Sequence, residues 1–145
     1  MMILQSGSGD ASGYNGKINV TGGTITLTGS STPLIEICTS VTGTVTLKDV
    51  TLTIPSSVSM QVDYTPRSSP KPPIASLILG TDGSSASYSG DVVVDSYGTA
   101  TVTVNSGVVW NGKYNNAATG KSTTAVINGT WTLTGNSTVA SVTGA

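Results

Sequence analysis

The chain has no histidine, no phenylalanine and a single cysteine, Cys38, among its 145 residues. Without His, the usual general base and the usual activator of a Ser or Cys nucleophile are both missing. One Cys supports neither an internal disulfide framework nor a zinc set. Cys38 reads as a small, half-buried thiol closing the apolar run Leu34-Ile35-Glu36-Ile37. Charge is scarce: 9% of residues are charged, against about 25% in a typical soluble domain. The six basic residues (Lys17, Lys48, Arg67, Lys71, Lys113 and Lys121) are scattered and the net charge is −1. Phosphate backbones need a concentrated basic patch, so no nucleic-acid partner is expected. No run approaches the roughly 18 apolar residues of a spanning helix, so no membrane insertion is expected. The opening Met1-Met2-Ile3-Leu4 is too short for a signal peptide, which fits a removed leader or a segment of a longer protein.

What fills the chain instead is Thr and Ser, about a third of all residues, with 18 Gly. Val, Ile and Leu recur in alternation with Thr, a pattern that a disordered linker does not need. The alternating runs are Thr24-Ile-Thr-Leu-Thr28, Thr44-Val-Thr-Leu47, Val50-Thr-Leu-Thr-Ile54, Ala100-Thr-Val-Thr-Val104 and Thr130-Trp-Thr-Leu-Thr134. Successive side chains on a strand point to opposite faces, so each run presents an apolar row inward and a Thr row outward. Further strands are expected at Lys17 to Val20, Leu34 to Cys38, Val58 to Val62, Ile74 to Leu79, Asp91 to Val94, Val108 to Trp110 and Thr124 to Ile127. Turn signals separate them, among them Gly22-Gly23, Thr42-Gly43, Asp82-Gly83, Asn105-Ser-Gly107, Asn111-Gly112 and Asn128-Gly129.

Internal echoes choose between a sandwich and a solenoid. Gly23-Thr-Ile-Thr-Leu27 recurs as Gly43-Thr-Val-Thr-Leu47, and Trp110 is echoed by Trp131, 21 residues on. A repeat of roughly 20 to 30 residues is the mark of stacked coils. The expected fold is therefore an all-β solenoid over residues 1–145, about 30 Å long if six coils stack at about 4.8 Å each. Two excursions interrupt it: the Pro-rich stretch near 63–73, unfit for an interior strand, and a Ser-rich loop near 80–90.

Three stretches carry a family resemblance: Gly43-Thr-Val-Thr-Leu-Lys-Asp-Val-Thr-Leu-Thr53, Leu77-Ile-Leu-Gly-Thr-Asp-Gly83 and Gly129-Thr-Trp-Thr-Leu-Thr-Gly-Asn-Ser-Thr-Val139. They resemble coils of secreted and cell-surface bacterial β-helix proteins, including adhesin-like and autotransporter passenger domains. That resemblance implies a right-handed parallel β-helix, an extracellular or cell-surface location, and a structural, adhesive or scaffolding role. The chain differs from long passenger domains in being short and lacking a recognisable membrane-barrel segment.

Catalysis has little to build on. Of the seven acids, only Asp91 and Asp95 share a strand face, with Cα atoms about 13 Å apart, too far for a catalytic carboxyl pair. Solvated strand ends are expected there, no catalytic, cofactor or metal residue is assigned, and the chain is expected not to be an enzyme. Asp10 and Asp82-Gly83 are the only turns suited to a weak Ca²⁺ site, and Gly120-Lys121-Ser122 lacks the spacing of a phosphate loop. Asn19-Val-Thr21, Asn128-Gly-Thr130 and Asn136-Ser-Thr138 match the glycosylation pattern, as chance allows in a Thr-rich chain.

The surface candidates are three. Thr24, Thr26 and Thr28, stacked on Thr44 and Thr46 by the 20-residue offset, would make an uncharged array resembling the ice-binding faces of antifreeze solenoids. Trp110 and Tyr114, flanking Asn111-Gly112-Lys113, offer a glycan contact, whereas Trp131 is expected in the core or at an end cap. Met1, Met2, Ile3 and Leu4 at one end, with Val139 and Val142 at the other, form uncapped ends suited to stacking. The partners expected are a second copy or neighbouring solenoid domains.

Overall fold

The structure, a computed structural model, describes residues 2–5, 14–29, 32–54, 58–63, 71–95, 97–116 and 123–145. Among them every regular element is a β-strand and every strand pairing is parallel. Each turn of chain contributes three strands. The first turn holds β1 (Met2–Leu4), β2 (Tyr14–Thr21) and β3 (Thr24–Thr26), and the second β4 (Ile35–Cys38), β5 (Val41–Lys48) and β6 (Thr51–Thr53). The third holds β7 (Val58–Asp63), β8 (Ile74–Leu79) and β9 (Ser87–Ser89), and the fourth β10 (Asp91–Val94), β11 (Thr99–Val104) and β12 (Val109–Gly112). The fifth holds β13 (Tyr114–Asn116), β14 (Thr123–Ile127) and β15 (Thr130–Leu133), after which β16 (Ser141–Thr143) begins another.

Strands of the same rank stack into walls. The first face orders β1-β4-β7-β10-β13, so four turns separate its outer strands, and the second orders β2-β5-β8-β11-β14-β16. The third face comes in two pieces, β3-β6 and β9-β12-β15. The result is a three-sided β-solenoid whose first face climbs about four turns from β1 to β13.

Register turns the alternating pattern into columns. On the second face Ile18, Val45, Leu77, Val102, Ala125 and Val142 lie one above another, as do Val20, Leu47, Leu79, Val104 and Ile127. On the first face Met2, Ile35, Met60, Val92 and Tyr114 form a column, with Leu4, Ile37, Val62 and Val94 beside it. The central members of these columns are essentially sealed from solvent, and each Val or Leu so buried contributes about 1.5–3 kcal/mol. A third inward column on the second face is Gly16, Gly43, Ala75, Ala100 and Thr123. Its residues are small because it meets the first face at close range: a Cβ on Gly43 would lie 2.8 Å from the terminal methyls of both Ile37 and Leu4.

The corner between the second and third faces repeats as well. The amides of Gly22, Gly80, Asn105 and Asn128 donate to the carbonyls of Lys48, Leu47, Leu79 and Val104, each in a neighbouring turn. Ser40 and Asp49, at the two ends of β5, take positive φ values of 63° and 52°. The return from the Pro-rich stretch is tied down at the first of these: the Ser40 amide donates to the Lys71 carbonyl, and the Lys71 amide donates to Ser40 Oγ at 3.1 Å.

Several sequence expectations are corrected. The 20-residue echo is not a register, because Thr24 pairs with Thr51 on the third face whereas Thr44 pairs with Lys17 on the second. The 21-residue echo is a register: Trp110 pairs with Trp131. Gly43 and Asn111-Gly112 lie within strands rather than in turns, for there glycine relieves crowding instead of bending the chain. The Ser-rich stretch near 80–90 contains β9, whose Tyr88 stacks in register on Trp110. Of the Pro-rich stretch, residues 64–70 lie outside the described residues, and Lys71 to Pro73 form no strand.

A Cβ at Gly112 would fall on the backbone carbonyl oxygen of Gly90 and 2.8 Å from the Trp110 indole nitrogen. A backbone atom cannot rotate aside as the Ile37 and Leu4 methyls can. Gly112→Ala is therefore expected to cost about 2–3 kcal/mol and Gly43→Ala clearly less. Urea unfolding of the two variants checks this, and equal costs would contradict it.

Candidate functional surface

The outward residues of the second face follow the same register. One column runs Lys17, Thr44, Ser76, Thr101, Thr124 and Ser141, and its neighbour runs Asn19, Thr46, Ile78, Thr103, Val126 and Thr143. From β5 to β16 the first column is hydroxyl-bearing throughout and the second is β-branched throughout. At its far end the Ser141 hydroxyl donates to Thr124 Oγ1 at 3.1 Å, so column neighbours stand within hydrogen-bonding reach. Thr44 and Thr46 belong to this array. Thr24 and Thr26 do not; they stack on Thr51 and Thr53, and Thr28 lies just beyond β3. The expected array is thus divided between two faces, and a longer one stands on the second.

The expected glycan platform is overturned. Trp110 is 1% exposed and Tyr114 0%, so neither offers a face to a sugar. Both point inward, where Trp110 stacks on Trp131 with ring centroids 4.9 Å apart and planes 10° from parallel. Tyr114 meets both indoles edge-on, at 6.2 and 6.5 Å. Each indole N–H finds the same partner one turn back: Trp110 Nε1 donates to Gly90 O at 2.8 Å and Trp131 Nε1 to Gly112 O at 3.1 Å. Buried Trp and Tyr need such partners for their polar ends. Trp131, half-buried against the core, fits its expected place. The spacing Tyr88-Ser-Gly90 and Trp110-Asn-Gly112 is the sequence trace of this arrangement, an aromatic followed two residues later by the glycine that accepts from the next aromatic.

Asp91 is no solvated strand end, being 9% exposed. Its Oδ1 accepts from the Lys113 amide at 2.9 Å, and Oδ2 lies 3.5 Å from Lys113 Nζ. Asp95 instead accepts from the Tyr97 amide at 3.1 Å. Where β6 and β9 belong to separate pieces of the third face, a groove of about 420 Å³ opens between Leu52, Ile54, Ser89, Asp91, Asn111 and Lys113. Its carboxylate is already held by Lys113. Among the described residues no group of three or more His, Cys, Asp or Glu side chains gathers to hold a metal ion.

At the ends, among the described residues, β1, β2 and β3 each have a hydrogen-bonded strand on one side only, and so do β13, β15 and β16; Thr138 adds a single bridge beside β13. Met2 and Leu4 are half-buried against the core, as is Val139, whereas Val142 is 57% exposed. Ile3 pairs with Glu36, and Met1 lies outside the described residues. No protein-family model, curated protein or solved structure matches this chain.

Burial pushes the phenols of Tyr88 and Tyr114 above their ordinary value of 10. Their hydroxyls donate to Leu47 O and Ala100 O, at 2.9 and 2.8 Å. The fold therefore favours their neutral forms. That contribution is full below pH 10, the ordinary value, and is lost as pH rises beyond it. Tyrosinate absorbance from these two residues is expected only together with loss of the β-sheet circular dichroism, and Tyr114→Phe should lessen the alkaline loss of stability. Titration of Tyr88 and Tyr114 with the fold intact would contradict this.

Proposed function

We propose that this chain is a non-catalytic structural module, an extracellular β-solenoid that assembles by stacking its end rungs. The observation that carries the reading is the second face at its two ends. There, among the described residues, β16 has a strand on one side only, with Val142 exposed in line with the buried column that begins at Ile18. An open parallel edge invites another strand. A second copy placing β16 against β2 would set Val142 on Ile18 and Thr143 on Asn19, continuing the inward and outward columns across the junction. Head-to-tail contacts of that kind do not close on themselves, so they propagate into a filament. The low charge supports it too, since little electrostatic repulsion opposes stacking.

Sedimentation velocity over a concentration series, with negative-stain microscopy of the same samples, tests the proposal. Rods that lengthen with concentration, and that shorten in Val142→Lys, are expected. A wild-type monomer at every concentration would contradict it.

A further inference from the structure

The lateral wall supports a second reading that is independent of end stacking. We infer that the outer surface of the second face, from β5 to β16, binds ordered water at the surface of ice. Its rungs present the pairs Thr44/Thr46, Ser76/Ile78, Thr101/Thr103, Thr124/Val126 and Ser141/Thr143, aligned in two straight columns by the strand register. Parallel pairing spaces the rungs at about 4.8 Å, and alternate residues along a strand lie about 6.6 Å apart. Each rung thus repeats an outward pair on a rectangular grid.

The chemistry of these columns suits an ordered-water ligand. Hydroxyl groups both donate to and accept from water, while the methyls of Thr, Val and Ile order the water they cannot bond. Among β8, β11, β14 and β16 no charged residue occurs; Lys17 and Lys48 lie only on the first two rungs. A charged side chain would bind its own hydration shell and break the lattice. β-Branched side chains are stiff at χ1, and all members of both columns from Thr44 to Val126 are half-buried between their neighbours. The array is therefore set before the ligand arrives, which reduces the ordering cost of binding. A sugar surface would ask for exposed aromatic rings, and none lies in these columns.

The test is ice-crystal morphology and thermal hysteresis of the purified chain, with Thr101→Lys and Thr103→Lys at the centre of the array. Thr132→Lys, exposed on the third face, is the control, and thermal unfolding by circular dichroism verifies that each variant is folded. Faceted crystals and a hysteresis gap are expected for the wild type and the control, with loss of the gap in both array variants. A folded wild type that leaves ice growth unchanged would overturn the inference. So would a gap that survives Thr101→Lys or is equally lost in Thr132→Lys, or a wild type that sediments with crystalline cellulose and ignores ice.

Discussion

The inward side chains of the paired strands rest on those of the neighbouring turns, and that constraint governs the rest. Along a column, a step from a large residue to a small one has to be matched across the core, or it opens a void or forces a clash. On the second face size is held over four rungs, Ile18, Val45, Leu77 and Val102 in one column and Gly16, Gly43, Ala75 and Ala100 in another, and the large Tyr114 enters on the first face in the same turn as the small Ala125 on the second. The small column lets the first and second faces approach, and the Ala100 carbonyl in it accepts from the Tyr114 hydroxyl. Narrow on that side, the cross-section widens toward the third face, where Tyr88, Trp110 and Trp131 fill it.

The same constraint acts on polar groups. A stack that buries whole aromatic rings must satisfy their N–H and O–H groups internally, and among the described residues no buried side-chain N or O lacks a partner. The solution repeats with the turn, indole to glycine carbonyl, Trp110 to Gly90 and Trp131 to Gly112. Asp91 follows the rule for charges, receiving an amide and an ammonium from the single residue Lys113. Outside the walls the columns continue as hydroxyls and branched methyls, so the regularity imposed by the core appears on the surface as a lattice.

Much of this architecture was legible in the sequence, for a definite reason. Alternation of Thr with Val, Ile or Leu reports the strand period directly, and it located β3, β5, β6, β11 and β15, together with the inward faces of all but β15, whose Leu133 is 59% exposed. Register was only partly legible. The Trp110–Trp131 echo reported a true pairing, on the third face. The echo of Gly23 to Leu27 in Gly43 to Leu47 joined two faces of the solenoid, since every strand shares the same Thr-apolar composition and local similarity cannot tell one face from another. Trp110 and Tyr114 were misplaced for a related reason. Asn111-Gly112 looks like an exposed turn, whereas the glycine is there to make room for the Trp110 indole and the Gly90 carbonyl. Turn-forming residues and crowding-relief residues are the same amino acid, and only the neighbouring turn distinguishes them.

The register of the second face underlies the whole solenoid, and distances between paired spin labels measure it most directly. With Cys38 replaced by Ser, labels at Ser141 and at Lys17, Thr44 or Ser76 span five, four or three rungs. The account predicts backbone separations near 24, 19 and 14 Å, falling by about 4.8 Å per rung, although the sequence separations shrink unevenly. Distances that do not shorten stepwise along this column would contradict the solenoid register and everything drawn from it.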